Sequence, residues 1–429
     1  MTDKIQSEGG QDSLPSEHVR SASCADASLS SPATRIDSLD VLRGFAVLGI
    51  LVMNIQSFAM IGSAYGNPNS WGDMSGIEGG VWYVSHLFAD SKFMAIFSML
   101  FGAGIVLMSN RQRQAGLSAA QVHYRRMLGL FGIGMIHAYL FWYGDILVLY
   151  AICGSIVFWM WPLRVRWLLL GSAALLLTGL LITLVLNWSI QFMTPSDCNE
   201  LQNDFWAPSV EEISKELEIH RGPWLPQFFY RIEVAVLVQT LGLLLIGWRI
   251  SGLMLLGMAI MKTGFLSGCS RARSYWTVLF SGLVMGLPLV VYGVQLNREA
   301  GWRMDYSMFA GTMPNYVGSV LIALGYISLF QLLMRTDLRR CLVTWLAPVG
   351  RMALTNYLAQ TLICTTLFYG HGFALYGSVS RFLQLIIVFG IWLIQILFSR
   401  FWMARFRFGP CEYVWRTLTY LRFLPEKSP

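Results

Sequence analysis

Apolar residues fall in long blocks along this chain. Each block is close to the roughly 20 residues a helix needs to cross a bilayer, and short polar or glycine-rich segments separate them. The pattern predicts an all-α polytopic membrane helix bundle of about ten transmembrane helices. They fall at residues 44–62, 93–109, 127–143, 145–161, 167–188, 232–261, 275–294, 315–334, 346–369 and 382–402. The sixth block carries Glu233 at its start and Arg249 in its interior, which points to two shorter helices with a break near Trp248. Within the polar segment 189–230, Ser209 stands three residues before Glu212. This is an N-cap signature for a short helix over 209–219. Segment 63–92 is rich in Gly, Asn and Trp and reads as a loop. After the tenth block, Gly409 to Arg416 predicts an amphipathic helix, with Glu412 and Arg416 four apart and able to pair on one face. Residues 1–34 hold no apolar core of a signal peptide and are expected to be a disordered tail. The resulting division is tail 1–34, five-helix half 35–188, acidic loop 189–230, and five-helix half 231–429. No repeat of one half in the other stands out.

Composition agrees with a membrane protein. The chain is 55% hydrophobic and 13% charged, against about 25% charged in an average soluble domain. Its 16 Trp and 17 Tyr suit interfacial aromatic belts. The net charge of +7 resembles a nucleic-acid signal until the basic residues are placed. Of the 31 Lys and Arg, 22 fall on one set of loops and termini and seven on the other; Arg249 and Arg351 lie inside spans. The positive-inside rule then puts both termini in the cytoplasm and supports an even number of spans. The 189–230 loop is then extracytoplasmic. No basic and aromatic patch for nucleic acid remains. Seven Cys lie scattered without metal-ligand spacing, and only Cys198 falls in an outside loop, so neither a metal site nor a disulfide framework is expected.

A charge at bilayer depth costs roughly 2.5–3.5 kcal/mol, so polar residues near the spans are the natural candidates for chemistry. At the start of span one, Asp40 and Arg43 are three apart and can pair; Asn54 shares the face of Arg43 about 16 Å along the helix. The plainer reading is a solvated cytoplasmic anchor. His86 and Asp90 are four apart on the outside rim beside Lys92, and a carboxylate there would orient the imidazole as a general base requires. The plainer reading is an ordinary polar rim. His137 and Asp145 are eight apart and fit a hydrogen-bonded core histidine better than a base. In span nine, Arg351, Thr355, Asn356 and Gln360 are explained by interhelical hydrogen bonds, with Arg351 near the cytoplasmic end either snorkelling or reaching an anionic ligand. His371 sits in an outside turn between glycines. There is no Walker loop, zinc pattern, nucleophile elbow or dinucleotide fingerprint.

Four stretches together resemble the YeiB-like family, whose C-terminal half is a domain of unknown function numbered 418. They are Arg35 to Gly44, Phe93 to Gly104, Gly350 to Tyr357, and Gly409-Pro410 through Glu412, Trp415, Arg416, Thr419 and Tyr420. The N-terminal half is also similar to transmembrane acyltransferases typified by heparan-alpha-glucosaminide N-acetyltransferase. That group shares the opening formed here by Asp40, Arg43 and Gly44, and the asparagine ten residues on, here Asn54. It places a catalytic histidine at the non-cytoplasmic end of the next span, which His86 matches. The stretch from His86 to Gly102 is shorter than its counterpart.

The resemblance implies acyl transfer across the membrane. Acyl-CoA (acetyl-CoA) would be the co-substrate, with no covalently bound cofactor, and an extracytoplasmic glycan or small molecule the acceptor. Arg43, Asp40 and Arg351 would take the cofactor-binding role. His86 would be the base, Asp90 its orienting group and Asn54 the oxyanion donor. Two rivals remain. One is a transporter or permease for a small polar or anionic solute, supported by Arg249 in a broken span. The other is a non-catalytic sensor or assembly factor docking through the acidic loop. Oligomerisation is left open.

Overall fold

The computed structural model describes residues 36–421; the predicted tail 1–34 lies outside them. The described chain is helical and contains no extended strand. The N-terminal half runs through α1 (Asp37–Ala59), α2 (Gly76–Phe88), α3 (Lys92–Gln114), α4 (Ala119–Leu140), α5 (Leu147–Val157) and α6 (Val165–Ser189). Two polar helices follow, α7 (Pro195–Phe205) and α8 (Val210–Arg221). The C-terminal half comprises α9 (Trp224–Leu245), α10 (Gly247–Lys262), α11 (Ala272–Ser281), α12 (Leu287–Glu299), α13 (Met313–Leu333), α14 (Leu338–Arg351), α15 (Ala353–Phe368), α16 (Arg381–Met403) and α17 (Pro410–Tyr420).

Seven helical stretches among the described residues are long and apolar enough to cross a membrane. The other three expected spans are helical but fail a length or hydropathy test for identifiable reasons. α4 carries His123, Tyr124, Arg125 and Arg126 in its N-terminal part. The fifth helix is short, reaching Met160 only through a 3-10 turn. The span expected over 346–369 is broken at Met352, where α14 ends and α15 starts. The sixth span is two helices, as Arg249 suggested, with the bend at Ile246.

Segment 63–92 departs from its reading as a loop. Gly79, Gly80 and Glu78 look like loop residues, yet 76–88 is helical, and residues 76–114 form one apolar stretch interrupted only at 89–91.

Two glycine pairs let helix backbones touch. Gly102 of α3 lies on the Met254 carbonyl, and Gly257 of α10 on the Met99 carbonyl. Gly44 of α1 lies on the Leu346 carbonyl, and Gly350 of α14 on the Asp40 carbonyl. In each pair the helices run in the same direction, because their N-terminal ends also meet. Lys92 and Arg249 both reach the first turns of α13, and Asp37 pairs with Arg339 at 3.3 Å.

α8 begins as the sequence predicts, with the Ser209 hydroxyl accepting from Glu212 N at 3.2 Å. It docks on the end of the bundle opposite Arg339. Glu216 accepts from Gly62 N at 2.9 Å and from the Tyr376 hydroxyl at 2.6 Å. His220 stacks on Tyr376 at 4.2 Å.

Candidate functional site

His86 occupies the last turn of α2, and Asp90 follows in the break before α3. The break is made by Ser91, whose φ of 64° lies in the left-handed region that a serine adopts only at some cost. This turn brings His86 Nδ1 to 3.1 Å from Asp90 Oδ2. With the carboxylate accepting, Nδ1 carries the proton, and the Nε2 lone pair is left facing no described hydrogen-bond donor. The ring stacks on Trp82 at 5.0 Å.

Asp90 is itself held. Asn315 Nδ2 donates to its Oδ2 at 2.7 Å, and the Ser91 hydroxyl donates to Oδ1 at 3.2 Å. Lys92 is fully buried; its Nζ donates to the His86 carbonyl at 2.8 Å and to Asn315 Oδ1 at 2.7 Å. Asn315 therefore ties the ammonium to the carboxylate. Nothing local in the sequence marks it except an amide in the first turn of an apolar span. A cleft of about 470 Å³, walled by Trp82, Tyr83, Arg298 and Trp302, adjoins this group through Trp82, the ring that stacks on His86.

The sequence reading set this pair on the outside rim, in a segment read as a loop, and the structure makes that segment helical. His86 and Asp90 lie inside the 76–114 stretch, because 76–88 is helix. The ring of Phe93, just past the break, packs on Gly49 in the middle of α1.

The second cluster gathers at the basic end. Arg43 Nη1 donates to Asp40 Oδ1 at 3.0 Å; Asp40 is buried and Arg43 is about a third exposed. The Gly44–Gly350 crossing sets Arg351, the last residue of α14, beside this pair. Arg43 Nη2 also lies 4.0 Å from the Cβ position of Gly104 on α3. Arg126 stacks over Trp415 at 4.5 Å and is within electrostatic reach of Arg43 and Arg416. Such a convergence of guanidinium groups suits phosphates. Asn54, half-buried on α1, makes no hydrogen bond to any described residue, so none joins it to either cluster.

The expected surface pairing of Glu412 with Arg416 is not what organises α17. Glu412 turns inward and caps α15. Its carboxylate accepts from Leu354 N at 2.7 Å, Thr355 N at 3.0 Å and the Thr355 hydroxyl at 2.6 Å. A carboxylate on orphan N–H groups at a helix N-terminus is worth more than an exposed ion pair.

The remaining polar candidates are committed to packing. His137 Nδ1 bonds Asp145 at 2.7 Å and Nε2 bonds Thr361 at 2.8 Å, all three buried. Both ring nitrogens are engaged, which fits a core histidine. Asn356 reaches Ser399 and Gln360 reaches Gln395, each at 3.0 Å, the interhelical bonds expected for span nine. His371 lies 3.4 Å from Gln227, far along the chain from either cluster.

Residues 260–422 match the family described as a protein of unknown function (DUF418). Over 390 residues the chain is 35% identical to the uncharacterized protein YeiB of Escherichia coli, covering 89% of this chain and 95% of YeiB. It is 29% identical to the uncharacterized protein YxaH of Bacillus subtilis, over 91% of this chain and 96% of YxaH. A 39.9 kDa uncharacterized protein of Bacillus acidopullulyticus is 26% identical over 91% of this chain. No solved structure matches.

Proposed function

We propose that this chain, which belongs to the YeiB family, is a transmembrane acyltransferase. It would move an acyl group from cytoplasmic acyl-CoA to an extracytoplasmic hydroxyl or amine. The observation that carries the reading is the span of α3. Its N-terminus abuts the His86–Asp90 pair, and its Gly104 abuts Arg43. Twelve residues of helix, about 18 Å, connect a poised imidazole to a basic cluster that suits phosphates.

In this reading Arg43 and Arg126 bind the phosphates of the donor at the basic end. The acceptor enters through the cleft beside Trp82. His86 Nε2 takes the acceptor proton as the acceptor oxygen or nitrogen attacks the thioester carbonyl. Asp90 holds the imidazole in the required tautomer and stabilises its cationic form. Asn54, whose amide is uncommitted among the described residues, donates to the developing oxyanion. The carbon–sulfur bond then breaks, and the thiolate leaves and recovers the proton from His86.

The test uses the purified full chain with radiolabelled acetyl-CoA and a mixed set of hydroxyl and amine acceptors. Labelled product is expected from the wild type and not from His86→Ala. Equal labelling of both, or none in either, overturns the reading. The transporter alternative draws on a different observation, the buried cations at the two interrupted helices. Uptake into proteoliposomes that ignores acyl-CoA would favour it.

A further inference from the structure

Two buried cations meet where α3, α10 and α13 converge, and one carboxylate faces them. Arg249 of α10 is 4% exposed. Its Nη1 donates to the Tyr316 carbonyl at 2.6 Å and its Nη2 to the Ser319 hydroxyl at 2.8 Å. The guanidinium lies 4.2 Å over the Tyr316 ring. These contacts orient the group without supplying a negative charge. Its Nε is buried and finds no acceptor among the described residues. Lys92 uses two of its three donors, on the His86 carbonyl and on Asn315. The two cations interact electrostatically with each other and with Asp90.

Asp90 accepts from His86, Ser91 and Asn315, and its single negative charge stands against the two cations. One charge therefore remains uncompensated inside an apolar bundle. An ionised group at such depth is costly and marks a ligand path more often than a packing role. The first turn of α3 adds to the imbalance. It follows the left-handed Ser91 with no side-chain cap, so the positive end of a 23-residue helix points toward the same junction.

We propose that this junction binds one small oxyanion group of the carboxylate or phosphate class, with Arg249 Nε, the third Lys92 donor and the first turn of α3 as its contacts. The ligand is either a free anion reaching the junction from the cleft beside Trp82 or the headgroup of an anionic lipid. The inference stands on the buried charges and not on the acyl-transfer reading.

The experiment measures the thermal stability of the purified full chain in detergent, with acetate or inorganic phosphate replacing chloride at constant ionic strength. A ligand bound to the native state raises its apparent stability. A concentration-dependent rise in Tm is expected for the wild type. In Arg249→Gln the dissociation constant should weaken on the order of tenfold or more. Arg249→Lys keeps the charge and removes the Nε–H, and an intermediate loss is expected should the glutamine variant not fold. Nanodiscs separate the sources. A rise on adding free anion to phosphatidylcholine discs identifies a soluble ligand, and a rise with phosphatidylglycerol alone identifies a headgroup. Either supports the site when Arg249→Lys weakens it. No rise in the wild type under any condition overturns the proposal, as does an equal rise in both arginine variants. His86→Ala should keep the anion-dependent rise while losing acetyl transfer, so failure of one reading is distinguishable from failure of the other.

Discussion

At His86 everything turns on which ring nitrogen is free. Asp90 holds Nδ1, and Nε2 is left for a proton in transit. His86→Ala should lower acyl transfer by about 10²–10⁴-fold, the usual worth of a positioned general base. Asp90→Asn should cost less, because the ring remains and only its orientation and the stabilisation of its cation are lost. Single-turnover rates with a saturating acceptor would check both. A smaller effect in His86→Ala than in Asp90→Asn would count against the assigned roles. The pair was legible from the sequence because its members are four apart at a helix end. Asn315 was not, since it joins Asp90 from 225 residues away and nothing beside it in the chain signals the contact. Glu412 was misread for a related reason. Its spacing to Arg416 suggested a surface pair, and only the fold brings the orphan N–H groups of Leu354 and Thr355 to it.

Among the elements, the interrupted helices were half visible. Arg249 in an apolar block announced the bend at Ile246, whereas the helix 76–88 was hidden by loop-like residues at 78–80. The glycines that let α3 and α10 touch gave no sign of each other. A Cβ at Gly257 would overlap the Met99 carbonyl oxygen, which is backbone and cannot swing away. Gly257→Leu should therefore destabilise the bundle by on the order of 3 kcal/mol, read as a fall in Tm, while Gly132→Leu, in open space on α4, should leave it nearly unchanged. The docking of α8 should respond to pH. Burial pushes the His220 imidazole down to about 4 from its ordinary 6.5. The unfolded form then binds the extra proton between those values, so the His220 contribution is fully present above pH 6.5 and is lost as pH falls toward 4. Burial pushes Glu216 the other way, so its contribution is present at low pH and is lost as pH rises through its elevated value. In Glu216→Gln the acid sensitivity of His220 should stand alone, and in His220→Phe it should vanish. Limited proteolysis of residues 195–221 across pH 4–8 would show both. Unchanged acid sensitivity in His220→Phe would refute the assignment.

For the whole molecule, the count of crossings decides whether the two termini share a side, and the Lys and Arg asymmetry decides which side is the cytoplasm. Seven helices qualify by length and hydropathy, and an odd number would leave the termini on opposite sides. Ten crossings are the expectation from the charge pattern, and the inter-element contacts agree with it. Lys262 reaches the Leu163 carbonyl, Arg335 the Gly268 carbonyl, Arg339 the Asp37 carboxylate, and Trp415 the Arg126 carbonyl. These contacts gather the arginine-rich loops at one end. At the other, Arg231 reaches the Leu140 carbonyl, Trp206 the Trp302 carbonyl, and Glu216 the Tyr376 hydroxyl. Each contact joins two segments that the charge asymmetry had already put on one side, and the alternation holds only if α4, α5 and α15 also cross. As helices they would satisfy their backbone groups internally, which is what a crossing segment needs even when it is short or partly polar. The expected topology has both termini in the cytoplasm with α7 and α8 outside. In a functional background without native cysteines, Ser214→Cys should react with a membrane-impermeant maleimide added to intact cells. Thr336→Cys and Cys341 restored alone should react only after permeabilisation. Labelling of Thr336→Cys in intact cells would reverse the orientation, and with it the direction assigned to acyl transfer.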